Sequence, residues 1–203
     1  MLESMLAFLG ATAILAFSPG PDNIYVLTQS VVNGCASGLS TTAGLISGCI
    51  VHTTLVAFGV SAIIATSPTI FFIIKVFGAA YLLFLAYKVF KSDAKVSLTD
   101  GAPKKSHWSL FKQGVLMNIL NPKVTIFFLA FFPGFLWEPE GNTVFQFYVL
   151  GILFMIESFI IFGGIAVLAG SISGYLKKSN QIGNILKWLQ IIVFIGIAVF
   201  ILI

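Results

Sequence analysis

The stretch that decides the fold is Ser18-Pro19-Gly20-Pro21-Asp22-Asn23, because it interrupts an apolar segment near the start of the chain. An uncharged run, residues 7–17, precedes it, and apolar residues resume after it. Proline removes a backbone N–H and clashes with the carbonyl four residues earlier, so two prolines around a glycine must bend or unwind a helix. Backbone groups freed in hydrocarbon need new partners. The break is therefore predicted to face protein or a cavity rather than lipid.

The composition indicates that lipid is the solvent of this chain. Its 203 residues are 58% hydrophobic and 9% charged, with a mean hydropathy of +1.04, whereas soluble domains carry about 25% charged residues. Glu3 stands where a signal peptide would be basic, so no cleaved signal peptide is expected. The net charge of +4 comes from lysines predicted in or beside loops, which argues against a nucleic-acid partner.

We predict an all-α integral membrane protein with six transmembrane helices, the first and fourth interrupted, because a spanning helix needs about 20 mostly apolar residues. The segments that meet this length are residues 4–30, 41–64, 69–90, 111–136, 143–170 and 182–203. The connections are short except for residues 91–110. Residues 1–203 are therefore interpreted as a single transmembrane transporter domain.

Lysine placement predicts the orientation, since cytoplasmic loops are enriched in positive charge. The lysines cluster around the loops that follow the third and fifth spans, namely Lys88, Lys91, Lys95, Lys104, Lys105, Lys112, Lys177, Lys178 and Lys187. The loop after the fourth span instead carries Glu138 and Glu140. This pattern places loop 91–110 in the cytoplasm and both termini outside. Residues 31–40, predicted as a cytoplasmic loop, carry no charge and therefore give no information on the orientation.

The two halves of the chain resemble each other. Residues 15–20 (LAFSPG) match residues 129–134 (LAFFPG), and residues 73–75 resemble residues 185–187 at nearly the same separation. Three spans per half is an odd number, so the second half must enter the membrane from the opposite side. We therefore predict a 3+3 inverted repeat, residues 1–90 and 111–203, which is a transporter architecture with its site near the midplane in interrupted helices.

A second break, Asn118-Ile119-Leu120-Asn121-Pro122-Lys123, lies in the fourth span. Both breaks lie about ten residues from the cytoplasmic end of their spans, roughly 15 Å deep. Because the two spans run antiparallel, Asp22 and Lys123 could pair, or could hold the ammonium and carboxylate of one substrate. Two structural alternatives stay open: Asp22 is merely solvated beside a kink, or Lys123 extends to the cytoplasmic surface.

Two other ionisable groups are predicted within the membrane. Glu157 lies far from either end of the fifth span and is a candidate proton carrier. His52, in the second span, is either a second such group or a hydrogen-bonded structural residue. The glycines of the second and fifth spans, Gly44, Gly48 and Gly59 with Gly163, Gly164 and Gly170, predict close helix packing, to which Ser47 could add binding.

No pattern in the sequence predicts enzymatic or cofactor chemistry. The chain has no phosphate-binding loop, nucleophile elbow or dinucleotide fingerprint. Cys35 and Cys49 have neither a metal-binding nor a redox spacing, and neither lies at a break. We therefore expect no catalytic residue, no metal and no cofactor.

These residues together resemble the LysE/RhtB family of amino-acid exporters over essentially the whole chain. The most specific stretches are Pro19-Gly20-Pro21-Asp22-Asn23, Asn121-Pro122-Lys123 and Gly78-Ala79-Ala80-Tyr81-Leu82. The resemblance implies export of amino acids or related small metabolites across the bacterial inner membrane, coupled to the proton gradient by alternating access. A homodimer is compatible with the glycine stripes. The alternatives are a membrane redox carrier or a small-solute channel of the same superfamily.

The predicted site follows from the two breaks and the buried ionisable groups. The expected substrate-binding residues are Ser18, Pro19, Gly20, Pro21, Asp22, Asn23, Asn118, Asn121, Pro122 and Lys123. The proton-coupling candidates are Glu157, His52 and Asp22.

Overall fold

The first span consists of two helices that meet at the SPGPDN break. The computed structural model describes residues 2–18, 20–92, 104–172 and 180–203. Helix α1 (Leu2–Phe17) and helix α2 (Pro21–Asn33) are inclined at 58° to each other. Proline at the first position of α2 lacks only an N–H that a helix start leaves unpaired, so the same residue that ends one helix can begin the next.

The second and third spans are unbroken. Helix α3 (Cys35–Leu55) continues through a π-helical turn (Val56–Val60) into α4 (Ser61–Thr66), and α5 covers Pro68–Lys91. The turn between α2 and α3 is the single residue Gly34, whose φ of 87° is a conformation that favours glycine. The predicted loop at residues 31–40 is therefore wrong, because both helices extend to this one-residue turn.

The second half repeats the pattern. Helix α6 (His107–Ile119) and helix α7 (Pro122–Ile126) meet at the second break, and α7 continues as π-helical (Phe127–Phe131) and 3-10 (Phe132–Phe135) turns. The two parts of this span are inclined at 51°. Helix α8 (Thr143–Val167) and helix α9 (Asn180–Leu202) complete it. Helix α6 begins inside the predicted loop 91–110, and residues 93–103 of that loop lie outside the described residues.

This architecture confirms an all-α membrane protein with the first and fourth helices interrupted. Four helical segments are long and apolar enough to span a membrane, and the count reaches six when each bent pair is one span. Of the lysines that oriented the chain, Lys95, Lys177 and Lys178 lie outside the described residues.

The two breaks occupy equivalent positions in the two halves. Pro21 and Pro122 are each the first residue of the helix that follows the break. The predicted cytoplasmic halves of the broken spans, α2 and α6, each have 13 residues, so each break lies one helix of the same length from the predicted cytoplasmic end of its span. Residues 129–134 lie instead at the far end of the fourth span. The match between residues 15–20 and 129–134 therefore does not align the two breaks.

Helix α3 is the centre of the packing and contacts α6, α8 and α2, while α5 packs against α9. Two glycines allow the close crossing of α3 and α6. A Cβ on Gly44 would lie 2.1 Å from the Phe111 carbonyl oxygen, and one on Gly114 would lie 2.5 Å from the Thr41 carbonyl oxygen. The predicted packing role is supported at Gly44 but is wrong at Gly59 and Gly164, where a Cβ would meet nothing within 4 Å.

A cluster of phenylalanines fills the half of the molecule on the α1 N-terminal side of the breaks. Phe128 stacks on Phe132 at 4.2 Å between ring centroids, and Phe8 meets Phe132 edge-to-face at 5.0 Å. The cluster comprises Phe8, Phe127, Phe128, Phe131, Phe132, Phe135, Phe154 and Phe200. Such ring pairs add about 0.5–1.5 kcal/mol each beyond the burial of their area. These rings therefore form one contiguous aromatic core.

Candidate functional site

A hydrogen bond between Asp22 and Asn121 joins the two breaks. The Asn121 Nδ2 donates to the Asp22 Oδ2 at 3.1 Å, and the Asp22 side chain is only 7% exposed. On its other side, the Asn121 Oδ1 accepts a hydrogen bond from the backbone N–H of Lys123 at 3.0 Å, which caps α7. One carboxamide therefore caps the second half-helix and holds the carboxylate of the first.

Side chains donate hydrogen bonds to backbone carbonyls that lose a helical N–H partner at the breaks. The Asn23 Nδ2 donates to the Ala16 carbonyl at 2.8 Å, across the first break. At the second break, Pro122 has no N–H to offer the Asn118 carbonyl, and the His52 Nε2 lies 3.1 Å from that oxygen. A carbonyl only accepts, so the His52 Nε2 carries the proton and donates it.

The helix ends enclose a small cavity of about 50 Å³. A water molecule needs about 10–15 Å³ of such volume, so the cavity can hold a few waters but not an amino acid. Its lining residues are Leu15, Ala16, Gly20, Pro21, Asp22, Asn23, Ile46, Cys49, Asn118, Asn121, Lys123, Val124, Phe154, Ser158 and Phe162. A molecule of amino-acid size therefore does not fit the cavity as it stands.

Lys123 is directed towards the first break and does not pair with Asp22. The Lys123 Nζ lies 3.5 Å from the position that a Cβ on Gly20 would take, and 5.1 Å from the centroid of the Phe194 ring. No ion pair at 4.0 Å or less joins Lys123 to Asp22. The ammonium contacts an aromatic face, a weakly attractive arrangement. Its position beside Gly20 argues against extension of the side chain to the cytoplasmic surface.

The cavity brings together most of the predicted substrate-binding residues. Gly20, Pro21, Asp22, Asn23, Asn118, Asn121 and Lys123 line it. Ser18 is buried but does not line the cavity, and Pro122 is exposed. Pro19 lies outside the described residues.

The sequence reasoning missed the contribution of α8 to the cavity. Phe154, Ser158 and Phe162 line it from successive turns of that helix. Ser158 follows Glu157 directly, and a hydroxyl in an apolar span was a signal that could have singled it out. Ser47, considered earlier, does not line the cavity and donates to the Ala43 carbonyl of its own helix.

Glu157 lies beside the cavity rather than in it. The half-buried Glu157 carboxyl is hydrogen-bonded to the Thr12 hydroxyl of α1, and this contact links the fifth span to the first. The same hydroxyl is within 2.9 Å of the Phe8 carbonyl and 3.2 Å of the Leu9 carbonyl. The contact therefore places Glu157 against α1 rather than in the cavity wall.

The geometry favours the structural interpretation of His52. Its ring donates to the Asn118 carbonyl, stacks on Phe128 at 5.4 Å and does not line the cavity. We expect His52→Leu to lower the free energy of unfolding by about 0.5–1.5 kcal/mol, because the Asn118 carbonyl loses one of its two donors and keeps the backbone N–H of Asn121. Thermal unfolding in detergent measures this. His52→Gln, whose Nε2 can donate, should recover part of the loss, and equal stability of His52→Leu and the wild type would contradict the assignment.

The structure offers no evident metal or disulfide chemistry. Within residues 2–18, 20–92, 104–172 and 180–203, no group of three His, Cys, Asp or Glu side chains could hold a metal ion. Cys35 is exposed and Cys49 is buried, and both are free thiols. They are 14 positions apart on α3, about 21 Å along the helix axis. The Cys49 Sγ contacts the Asn118 Oδ1 at 3.7 Å.

Comparison with known proteins gives consistent matches over most of the chain. The LysE type translocator family model matches residues 13–203. The homoserine/homoserine lactone efflux proteins of Salmonella typhimurium and Salmonella typhi are each 31% identical over 179 residues, which cover 88% of this chain and 86% of theirs. An uncharacterized membrane protein of Vibrio cholerae is 31% identical over 175 residues, covering 86% of this chain and 85% of that protein. No solved structure matches the chain.

Proposed function

Because the chain belongs to the LysE type translocator family, we propose that it is a secondary active exporter of amino acids or related small metabolites and not an enzyme. The whole chain, residues 1–203, acts as one transporter domain in the bacterial inner membrane. Loop 91–110 is cytoplasmic and both termini are outside. The observation that carries the proposal is the meeting of two interrupted spans at one polar cavity, lined by Asp22 and Lys123.

The two charged residues suit the two charges of an amino acid. The Asp22 carboxylate accepts the substrate ammonium, and the Lys123 ammonium binds the substrate carboxylate. Since Asp22 and Lys123 form no ion pair at 4.0 Å or less, the substrate does not have to break one, although the Asp22 carboxylate also accepts from Asn121.

Alternating access requires the packing on the two sides of the cavity to open in turn. Phe154 lines the cavity, and its ring centroid lies 5.5 Å from that of Phe127 and 5.3 Å from that of Phe128 in the aromatic cluster. This cluster separates the cavity from the side proposed to be external. For release, the phenylalanines must part, and loading requires the cytoplasmic side to open.

Reconstitution into liposomes tests the function directly. Vesicles containing the purified protein and unlabelled L-homoserine should accumulate labelled L-homoserine from outside, and this counterflow should saturate. A pH gradient should drive net accumulation without internal substrate. The absence of counterflow for every amino acid tested would count against an amino-acid exporter.

Glu157 is the proposed proton-coupling residue. We expect Glu157→Gln to reduce accumulation driven by a pH gradient at least tenfold while counterflow continues, because an amide cannot release the coupling proton. Parallel flux assays on one liposome preparation measure both. Glu3→Gln, which neutralises an exposed carboxylate at the start of α1, is the matched control. Full gradient-driven accumulation by Glu157→Gln would show that coupling lies elsewhere.

The alternatives have less support in the geometry. A redox carrier needs thiols that approach each other or the substrate, and Cys35 and Cys49 are on one helix more than three turns apart. A channel needs a continuous path, whereas the aromatic cluster covers the cavity on one side. Saturable counterflow that persists in a Cys35→Ser/Cys49→Ser variant would exclude both.

A further inference from the structure

The face of α8 that reaches the cavity carries one polar group between two aromatic rings. Phe154, Ser158 and Phe162 are spaced four residues apart, so they lie on one side of the helix. Ser158 is 2% exposed, and its hydroxyl has no hydrogen-bond partner. A buried hydroxyl without a hydrogen-bond partner lowers the stability of the fold, so its presence here requires an explanation.

Ser158 differs from most helical hydroxyls of this protein. The hydroxyls of Ser40, Thr41 and Ser47 each donate to the carbonyl four residues earlier in their own helix. That bond is open to any serine in a helix, and Ser158 does not make it. Its hydroxyl therefore stays without a partner in a residue that lines the cavity.

The lack of a partner does not by itself identify a binding residue. Five other buried oxygens in the described part of the chain also lack one, on Ser18, Tyr25, Ser30, Thr42 and Thr53. None of those residues lines the cavity. Ser158 alone among them combines burial, an unpaired hydroxyl and a place in the cavity wall.

We propose that Ser158 is a specificity-determining residue that hydrogen-bonds a hydroxyl or similar small polar group on the side chain of the substrate. This inference rests on the proposed function, in which Asp22 and Lys123 take the ammonium and carboxylate. The side chain then lies against the α8 face of the wall, where Ser158 is the polar residue between Phe154 and Phe162, while the asparagines of the wall come from the two breaks. A site with one buried polar group rejects an analogue that leaves it unpaired.

L-homoserine and L-norvaline form a matched pair of probes, because a terminal hydroxyl in one replaces a terminal methyl in the other. The wild type should transport L-homoserine more efficiently. Ser158→Ala should lower the ratio of the two transport efficiencies at least tenfold, through loss of L-homoserine transport. Ser158→Thr, which keeps a hydroxyl, should retain the preference for L-homoserine.

A stability measurement separates substrate recognition from a structural role. Ser158→Ala removes a hydroxyl that makes no bond within the protein, so its melting temperature should equal or exceed that of the wild type. Ser30→Ala is the matched control, since it removes another buried, unpaired serine hydroxyl that does not line the cavity. Its L-homoserine to L-norvaline ratio should be unchanged.

The outcomes distinguish this inference from the function on which it rests. If the wild type exchanges no amino acid, both fail. If it exchanges amino acids but Ser158→Ala leaves the ratio unchanged, the role of Ser158 fails alone. If Ser158→Ala transports neither probe, the rise in its melting temperature on adding each probe decides. A rise with L-norvaline but not with L-homoserine supports the inference. No rise with either probe overturns it.

Discussion

Asp22→Asn and Lys123→Gln are each expected to reduce counterflow of L-homoserine by roughly 30- to 4,000-fold, because removing the charge that binds a buried, oppositely charged group of the substrate costs about 2–5 kcal/mol. Each substitution removes a charge with little change in size. The bond that joins the two breaks should survive in Asp22→Asn, since the new carboxamide oxygen can still accept from the Asn121 Nδ2. The loss should therefore concern substrate binding rather than folding, and melting temperatures measured alongside check this.

Substrate analogues can assign each charge to its partner. Asp22→Asn should weaken inhibition by L-homoserine but not by 4-hydroxybutyrate, which lacks the amino group. Lys123→Gln should weaken inhibition by both, because both carry a carboxylate. Lys75→Gln is the matched control: Lys75 is also a half-buried lysine within a span, and it does not line the central cavity. Wild-type transport by both site variants would refute the site while leaving the family membership intact.

The two breaks could be predicted from local backbone chemistry, whereas the hydrogen bond between Asp22 and Asn121 could not. Proline interrupts a helix wherever it occurs in the interior, so both breaks and their similar depth followed from composition and spacing. The partner of Asp22 depends on the rotation of α7 about its axis. Asn121 and Lys123 are two positions apart, and they therefore point in different directions. The sequence indicated Lys123, but Asn121 makes the hydrogen bond.

The glycines also show that a sequence pattern does not identify which helices are in contact. Close packing was predicted for the glycine stripes, and it is found at Gly44 and Gly48 but not at Gly59 or Gly164. Each glycine permits close approach, but only the arrangement of neighbouring helices decides whether a second helix is there. Ser158 was missed for a related reason, because its place in the cavity depends on which face of α8 meets the two breaks.

Gly44→Ala is expected to give the largest loss of stability, about 3 kcal/mol or more, because overpacking a tight crossing forces the backbone to move. The new Cβ would lie 2.1 Å from the carbonyl oxygen of Phe111 in α6. A backbone oxygen cannot rotate away as a flexible side chain could, so α3 and α6 must separate. Thermal unfolding of the purified variant, together with the yield of monodisperse protein, measures the loss.

Gly164→Ala provides the control, because a Cβ there meets nothing within 4 Å and alanine favours a helix over glycine by up to about 1 kcal/mol. This variant should be as stable as the wild type or more so. The Gly44 crossing also bears on the site, since α3 carries His52 and α6 ends at the second break. Separation of the two helices would lengthen the bond from His52 to the Asn118 carbonyl and widen the cavity. A Gly44→Ala protein that unfolds at the wild-type temperature and transports normally would contradict the close crossing of α3 and α6.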